Sequence, residues 1–303
     1  MPRLPFLNYG SILRESQQAR RDSRPSRGTV TQPNITTVDP LENLKQRTGK
    51  SYDSIALSYK RWTVMYRGQR FTYAIKLIDL LKKEQAGITL VRLHRMRALE
   101  VGCGDGTPVA EILLSEDVNV VGVDISETQI ARCRAHFPKH TDTRQASWIH
   151  RDMMELRYPW ERFDVVIALY CLLHLPREEQ AVFLKRAAKW LRPGGFLLFN
   201  FPQEENEGEV EEHWLGLEEG WVYRSSWGEE KLMSFVEGLE DMEVVVKGVT
   251  EAEGRNGDPK FVWVIAQKSI WSNSLKIGKP YEGQRGSYRT RQRTSITNNL
   301  VNQ

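Results

Sequence analysis

The segment from Glu100 to Gly106 combines residue types that suit a small-ligand site. It reads Glu-Val-Gly-Cys-Gly-Asp-Gly and follows the apolar segment Ala98–Val101. Glycines suit such a turn because any side chain would block the approach of a ligand to the backbone. Asp124 ends a second apolar segment 22 residues after Gly102. A carboxylate at that place can accept hydrogen bonds from both hydroxyls of a ribose, so the pattern predicts a nucleoside-binding loop.

The spacing of the glycines separates two classes of nucleoside cofactor. Nicotinamide dinucleotide loops have the pattern Gly-x-Gly-x-x-Gly, whereas Gly102, Gly104 and Gly106 are spaced Gly-x-Gly-x-Gly. Glu100 adds a carboxylate beside the place of a pyrophosphate, and it would repel that group. A cationic ligand with an amino group, such as S-adenosylmethionine (SAM), suits the carboxylate. We therefore expect SAM, and a nicotinamide-dependent dehydrogenase is the alternative.

Motifs in the middle of the chain resemble those of class I SAM-dependent methyltransferases. The matching segments are Ala98–Thr107, Val121–Ser126, His150–Met153, Phe163–Leu175 and Leu191–Phe196. They follow the order and spacing of that family over residues 51–268. Tyr52–Tyr59 is similar to the cofactor-covering helix of the ubiquinone-biosynthesis-like branch, and the arrangement resembles fungal enzymes that tailor secondary metabolites.

The order of strands and helices predicts an α/β fold with a doubly wound sheet. Apolar segments alternate with amphipathic ones, which favours parallel strands with helices on both faces. The last two strands, 243–249 and 261–266, predict a hairpin with an antiparallel last strand. The resemblance implies a Rossmann-like sheet of seven strands. Two further helices are predicted ahead of the first strand, from apolar faces formed by Tyr52, Ile55, Ala56, Tyr59 and Trp62 and by Phe71, Ala74, Ile75 and Ile78.

Composition divides the chain into a folded middle and two polar ends. Residues 1–45 and 272–303 lack apolar periodicity, and we expect both to be disordered. Residues 50–268 then form the methyltransferase domain. Residues 203–228 follow the fifth strand and carry aromatic residues that predict a substrate lid, with a helical pair packed on the sheet as the alternative. The candidate substrate-binding residues are Trp214, Trp221 and Trp227.

The resemblance implies roles for individual residues of the cofactor site. Those roles are the methionine part for Glu100, Gly102, Gly104 and Gly106, the ribose for Asp124, and the adenine for Asp152 and Met153. Tyr59 would close over the methionine carboxylate, or it is a core aromatic of an amphipathic helix. Asp152 has the alternative of a solvated loop acid or a helix cap.

Two residues beyond the fourth strand are candidates for the chemistry itself. Methyl transfer from a sulfonium is an in-line displacement that needs alignment, and a hydroxyl acceptor must also lose a proton. His174 is the best-placed general base, and Tyr170 is placed to line the acceptor pocket, although both residues can equally serve packing. His136 and His140 have helical spacing, but a proline lies between them, and we predict no metal site.

Charge and cysteine content narrow the class of function. The net charge of +4 divides into +4 for residues 1–49, +6 for residues 268–303 and −6 for the middle. An acidic middle disfavours nucleic acid, because nucleic-acid affinity rests on neutralising phosphates. We expect O-methylation of a small secondary metabolite. The alternatives are RNA or protein methylation, supported by the basic ends, and a regulator that keeps the fold without activity.

Location is predicted from two absences in the sequence. No run of about 18 apolar residues occurs, so no membrane span is expected. Cys103, Cys133 and Cys171 form an odd, sparse set without Cys-x-x-Cys spacing, which favours reduced thiols and a cytoplasmic protein. The sequence does not indicate an oligomeric state.

Overall fold

The computed structural model describes residues 43–64, 68–86, 96–251 and 259–270. Its helices are α1 (Leu44–Val64), α2 (Gly68–Ala86), α3 (Val109–Ser115), α4 (Glu127–His136), α5 (Pro138–Asp142), α6 (Arg177–Trp190) and α7 (Gly228–Glu237). None of these helices has the length and apolarity that crossing a membrane requires. The ends predicted to be disordered, 1–45 and 272–303, lie outside the described residues, except that 43–45 lead into α1.

Nine strands form one large sheet and one hairpin. They are β1 (Arg97–Val101), β2 (Asn119–Asp124), β3 (Ala146–His150), β4 (Phe163–Ala168), β5 (Leu191–Pro202), β6 (Glu205–Glu212), β7 (Trp221–Trp227), β8 (Met242–Glu251) and β9 (Lys260–Lys268). Single turns of 3₁₀ helix cover Met153–Glu155, Leu172–His174 and Trp214–Gly216. Each strand predicted for the main sheet is present with its ends moved by a few residues.

The seven-stranded sheet has the order β3-β2-β1-β4-β5-β9-β8. Strands β1 to β5 pair in parallel, and β9 runs antiparallel to both of its neighbours. This confirms the predicted sheet with an antiparallel last strand. The strand order reverses between β1 and β4, and open α/β sheets bind ligands in the crevice at the carboxyl ends of such strands.

Both faces of the sheet are covered by helices, as predicted. One apolar core joins α2, α3 and α4 to the sheet, and a second core joins α6 and α7 to the other face. Alternation along β4 places Val165 and Ile167 in the first core and Val166 and Ala168 in the second. All six residues of β4 are therefore buried.

The predicted apolar face of α2 is partly wrong. Ala74 and Ile78 are buried, but Phe71 is 49% exposed and Ile75 is 37% exposed. The buried face instead consists of Tyr73, Ala74, Leu77, Ile78 and Leu81. The helix is turned so that the Tyr73 ring stacks on Trp263, with ring centroids 4.5 Å apart, and this large aromatic contact outweighs burial of Phe71 and Ile75.

Residues 203–228 form an antiparallel hairpin, so the alternative of a helical pair is wrong. Strand β6 is exposed and acidic, whereas β7 is largely buried. Glu212 pairs with Trp221 nearest the turn, and Glu205 pairs with Trp227 at the open end. Strand β7 can pack against the body because its residues are mostly β-branched, aromatic or small, while the charges of β6 keep the outer edge in solvent.

Candidate active site

A cavity lies at the carboxyl ends of β1 and β4, where the strand order reverses. Its volume is about 1050 Å³, including the part that opens to solvent. The lining comes from α1, α2, the glycine loop after β1, the end of β2 and the loops after β3 and β4. This space is at the upper end of ordinary ligand pockets and suits a nucleoside cofactor with a small acceptor.

The glycine loop adopts a backbone that other residues rarely take. Gly102, Gly104 and Gly106 have φ angles of 62°, 56° and 82°. A Cβ on Gly102 would lie 2.4 Å from the Cβ of Cys171, whereas a Cβ on Gly104 would meet no atom within 4 Å. Gly104 also lines the cavity, so its bare backbone forms a cradle that a side chain would fill.

Glu100 is a buried carboxylate with an unmet requirement. Its side chain lines the cavity, the residue is 6% exposed, and Oε2 has no hydrogen-bond partner among the described residues. Burial raises the pKa of Glu100 to about 8; Arg70 opposes this shift, and Asp124 and Asp105 add to it. A cationic donor at Oε2 would satisfy this oxygen and restore the ionised form.

Asp124 accepts two backbone hydrogen bonds at the end of β2. Gly104 N–H donates to Oδ2 at 2.8 Å, and Ser126 N–H donates to Oδ1 at 2.9 Å. Burial raises the pKa of Asp124, and the bonds from Ser126 and Gly104 oppose that shift. Each carboxylate oxygen can accept a second hydrogen bond, which leaves capacity for the two hydroxyls of a ribose.

Asp152 and Met153 line the same cavity after β3. Asp152 Oδ1 accepts the N–H of Met154 at 2.8 Å and so caps the 3₁₀ turn. Its Oδ2 lies 3.2 Å from Nζ of Lys45 on α1. The cap predicted as the alternative for Asp152 is thus present together with a position on the cavity wall.

His174 is enclosed by two hydrogen-bond partners. Its Nδ1 lies 2.8 Å from the carbonyl oxygen of Tyr223, and its Nε2 lies 2.9 Å from the hydroxyl of Tyr52. A carbonyl only accepts, so Nδ1 carries the proton and Nε2 accepts from Tyr52. Burial lowers the pKa of His174 to about 4, although the bond to Tyr223 opposes this shift. The imidazole is therefore neutral near pH 7.

Tyr170 is held in an unusual conformation at the end of β4. Its φ is 54°, and its N–H donates to Oδ1 of Asn200 at 2.7 Å. The guanidinium of Arg70 lies 4.8 Å from the ring centroid, and the ring packs edge-on against Phe261 and Trp263. Non-glycine residues with positive φ cluster at ligand sites, because surrounding contacts must stabilise them. Tyr170 and Arg70 both line the cavity.

The three tryptophans predicted to bind substrate do not line this cavity. Trp221 is buried under the guanidinium of Arg47, and Trp227 donates through Nε1 to the carbonyl of Arg177 at 2.8 Å. Both fill the space between the hairpin and the body of the protein. Trp214 lies nearer to the site, because its ring contacts Tyr52 and Tyr59, which do line the cavity.

Known proteins share the segment that carries this geometry. Residues 98–195 match the family of methyltransferase domains, and this range contains the glycine loop, Asp124, Asp152 and His174. The chain contains a class I SAM-dependent methyltransferase domain. SAM is the cofactor of that family, and the orphaned Oε2 of Glu100 beside the Gly104 cradle fits its ammonium group.

Curated relatives of the methyltransferase domain act on small molecules, as their names state. The chain is 40% identical over 101 residues to 27-O-demethylrifamycin SV methyltransferase of Amycolatopsis mediterranei, covering 33% of this chain and 36% of the relative. It is 32% identical over 129 residues to the sterol 24-C-methyltransferase of Aspergillus fumigatus, covering 43% and 33%. It is 28% identical over 113 residues to an O-methyltransferase of Aspergillus nomiae, covering 37% and 49%. The chain spans a third to a half of the length of these relatives.

Solved structures show the same fold. The 1,6-didemethyltoxoflavin-N1-methyltransferase of Burkholderia thailandensis aligns with a TM-score of 0.54 at 17% identity, over 81% of this chain and 94% of that one. The magnesium protoporphyrin IX methyltransferase of Synechocystis PCC 6803 aligns with a TM-score of 0.52 at 16% identity, over 78% and 100%. At these identities the likeness shows the architecture alone.

The methyltransferase domain also places residues on the cavity that sequence reasoning missed. Gln129 is 2% exposed, lines the cavity, and has an Nε2 without a hydrogen-bond partner in the described part of the chain. A sequence signal existed, because Gln129 lies on the α4 face that also carries the buried Ile130 and Cys133. Tyr52 was predicted only as part of an apolar helix face, and its bond to His174 had no signal in the sequence.

Metal chemistry has no visible site in the described residues. No group of three or more His, Cys, Asp or Glu side chains there is arranged to hold an ion. Cys103, Cys133 and Cys171 are free and buried. They lie around the glycine loop, where Cys171 packs on Gly102 and Cys133 donates to the carbonyl of Gly104.

Proposed function

We propose that the protein transfers a methyl group from SAM to an oxygen atom of a small organic acceptor, as a tailoring step on a secondary metabolite. The observation that carries the proposal is the buried Glu100, whose Oε2 lacks a partner beside the open backbone of Gly104. This carboxylate suits the ammonium of a methionine moiety and disfavours the pyrophosphate of a dinucleotide. Asp124 stands where a ribose would follow.

SAM supplies an electrophilic methyl group on a sulfonium when it is bound. In this proposal Glu100 and the glycine-loop backbone hold the methionine part, and Asp124 holds the ribose. Asp152 and Met153 hold the adenine, with Gln129 as a further polar contact. Tyr59 closes over the methionine carboxylate, as its place on the cavity wall allows.

The rest of the cavity suits a small acceptor. Its wall carries Tyr52, Tyr170 and the apolar side chains of Leu169 and Leu175. Helix α1 covers the opening, and we assign residues 203–228 as a substrate lid because Trp214 at the hairpin turn packs on Tyr52 and Tyr59. A covered aromatic site excludes water and holds the acceptor in line with the methyl group, which is the alignment that this displacement needs.

The choice of oxygen and of a small acceptor has two supports. Two of the relatives described above are O-methyltransferases by name. The exposed strand β6 is rich in glutamate, which disfavours a polyanionic RNA at the hairpin. We further propose 50–268 as the extent of the catalytic domain, since β9 ends at Lys268. Free buried thiols support placement in the cytoplasm.

Transfer of label from methyl-labelled SAM tests the proposal. The protein is incubated with a panel of phenols, alcohols, carboxylic acids and amines, with total RNA and cell protein in separate reactions. We expect label in the organic-extractable product and formation of S-adenosylhomocysteine. Deletion of residues 1–42 and 272–303 should leave that turnover unchanged. Label only in RNA or protein, lost on deletion of these ends, would contradict the small-molecule acceptor.

A further inference from the structure

The hydroxyl of Tyr52 stands between His174 and the cavity. Both residues line the cavity, and their polar atoms are 2.9 Å apart. Tyr52 belongs to α1, and His174 ends the 3₁₀ turn after β4, so the bond joins elements 122 residues apart. The pair was not predicted from the sequence.

Both nitrogens of His174 are engaged, which changes the role that this residue can have. Nδ1–H donates to the carbonyl of Tyr223, and Nε2 accepts the hydroxyl proton of Tyr52. An acceptor in the cavity therefore has no free imidazole nitrogen to use in this arrangement. The Tyr52 oxygen, in contrast, donates its single proton to Nε2 and still has lone pairs that can accept a hydrogen bond.

We propose that Tyr52 is the catalytic residue that contacts the hydroxyl of the acceptor and relays its proton to His174. The inference rests on the proposed O-methylation and assigns the proton path for that reaction. His174 is then a positioning residue and the final proton acceptor, and Tyr223 fixes its tautomer through the backbone carbonyl.

The relay balances in atoms and charge. The acceptor oxygen forms a bond to the methyl carbon, and the bond between that carbon and the sulfur of SAM breaks with its electron pair left on sulfur. The acceptor hydroxyl proton moves to the oxygen of Tyr52 while the proton of Tyr52 moves to Nε2 of His174. The products are a methyl ether, a neutral thioether and an imidazolium, so the positive charge of the sulfonium ends on His174.

A weakly basic imidazole is sufficient for this path. Burial lowers the pKa of His174 to about 4 and raises the pKa of Tyr52 well above its usual value. As the bond to the methyl carbon forms, the acceptor hydroxyl approaches an oxonium, which is a far stronger acid than the imidazolium. The proton therefore moves downhill late in the displacement, and no free phenolate of the acceptor is needed.

The surroundings hold Tyr52 in place and set its charge environment. The ring contacts Tyr59 and Trp214 edge-on at 5.2 and 5.6 Å. The neighbouring Asp53 accepts hydrogen bonds from Ser126 Oγ and Thr128 N–H at the start of α4. The ionisable groups that influence the pair are Tyr59, Asp124, Arg224 and Arg70. Aromatic contacts that do not involve the hydroxyl would survive its removal.

Tyr52→Phe is the direct test, because it removes the hydroxyl and keeps the ring. We expect kcat with a phenol or alcohol acceptor to fall about 100-fold. The affinity for SAM should stay within a factor of two by calorimetry. Tyr158→Phe is the matched control, since Tyr158 packs on Phe163 and Trp190 away from the cavity, and it should keep full turnover.

A double variant and a spectroscopic readout separate a relay from general support of the fold. Because the two residues act in series, Tyr52→Phe combined with His174→Ala should be no slower than the slower single variant. Nitrogen NMR of the histidines in the protein without SAM should show His174 with a bare Nε2 at neutral pH. The Nε2 signal should shift in Tyr52→Phe and stay in place in Tyr158→Phe.

Several results would overturn the relay without touching methyl transfer itself. One is full turnover of a hydroxyl acceptor by Tyr52→Phe. Another is wild-type activity on carboxylic acids with none on hydroxyl compounds, because a carboxylate has no proton to lose. A third is an Nε2 signal of His174 that Tyr52→Phe leaves unchanged. Failure of the wild-type protein to bind SAM would instead contradict the proposed function.

Discussion

The ammonium of Lys60 lies 2.7 Å from Oδ2 of Asp105 and joins α1 to the glycine loop. Lys60 also donates to Oγ1 of Thr107 at 2.5 Å. Farther along the same helix, Lys45 reaches Asp152 and Asp53 reaches the start of α4. Helix α1 is thus bound to each loop that the proposal assigns to SAM, so the helix and the cofactor site should stabilise one another.

Replacing Lys60 with Met should loosen this connection. Although burial favours the neutral carboxyl, hydrogen bonds from Lys60 and Thr107 outweigh it and lower the pKa of Asp105. We expect the variant to lose about 1–3 kcal/mol of unfolding free energy at pH 7. The stabilisation from a lowered carboxyl pKa is present above the unfolded value of 3.8 and fades as pH falls through the folded value. Urea unfolding at pH 7 and below pH 4 measures both effects.

Lys82→Met is the matched control for Lys60→Met. Lys82 lies 2.8 Å from Glu116, but their side chains are 48% and 32% exposed. Exposed pairs of this kind contribute less than about 1 kcal/mol. A loss as large as that of Lys60→Met would contradict the special role of the buried pair. SAM affinity should fall in Lys60→Met and stay unchanged in Lys82→Met.

Asp124→Asn should weaken SAM binding by about 10- to 100-fold, since a charged partner of buried hydrogen bonds is lost. The asparagine keeps the shape of the side chain but cannot accept the same number of hydrogen bonds. Asp164→Asn serves as the control. Asp164 is also buried, and it accepts from Arg97 N–H and pairs with Arg192 at the opposite end of the sheet. It should lose stability and keep its affinity for SAM.

Much of the fold was predictable because local patterns determine it. The β1 segment and the β4 segment are short, apolar and flanked by turn residues, and they became adjacent parallel strands. Pro138 ends one helical pattern, and in the structure it begins the separate helix α5. The tilt of α2 was not predictable, because it depends on the stacking of Tyr73 on Trp263, which lies 190 positions later in the chain.

The site was predictable where one motif carries it and unpredictable where distant elements meet. Glu100 and Asp124 lie on adjacent strands, so their placement beside one cavity follows from strand order. The hydrogen bond between Tyr52 and His174 depends on how α1 lies across the sheet, and the sequence does not encode that contact locally. The tryptophans of the hairpin were predicted as acceptor contacts, but alternation along β7 directs Trp221 and Trp227 to the body of the protein.

Trp214→Ala should affect the acceptor more than the cofactor. Its ring contacts Tyr52, Tyr59 and Trp62 and so holds the hairpin turn against α1. We expect KM for the acceptor to rise about tenfold, while SAM affinity changes by less than half as much on a logarithmic scale. Trp160→Ala, at a side chain that is 73% exposed, should change neither value. Equal loss of SAM and acceptor binding in Trp214→Ala would show that the hairpin supports the whole site instead.

Stability of the protein without SAM should fall with rising pH because of Glu100. The folded pKa of about 8 lies above the ordinary value of 4.5. A raised carboxyl pKa means that stability is fully present below pH 4.5 and is lost as pH rises through the folded value. Glu100→Gln should remove that slope, and thermal unfolding between pH 5 and pH 9 measures it. A parallel slope in the variant would show that another group is responsible.

The most direct measurement of the central claim is calorimetry of SAM binding at pH 7 in two buffers of different ionisation enthalpy. Glu100 is protonated at that pH without a cation and must ionise to accept the ammonium of SAM. We predict binding with release of about one proton at pH 7, and a release that fades above pH 8. Glu100→Gln should bind at least tenfold more weakly and release none. Equal affinity of the variant, or binding without proton release, would contradict the assignment of Glu100 to SAM.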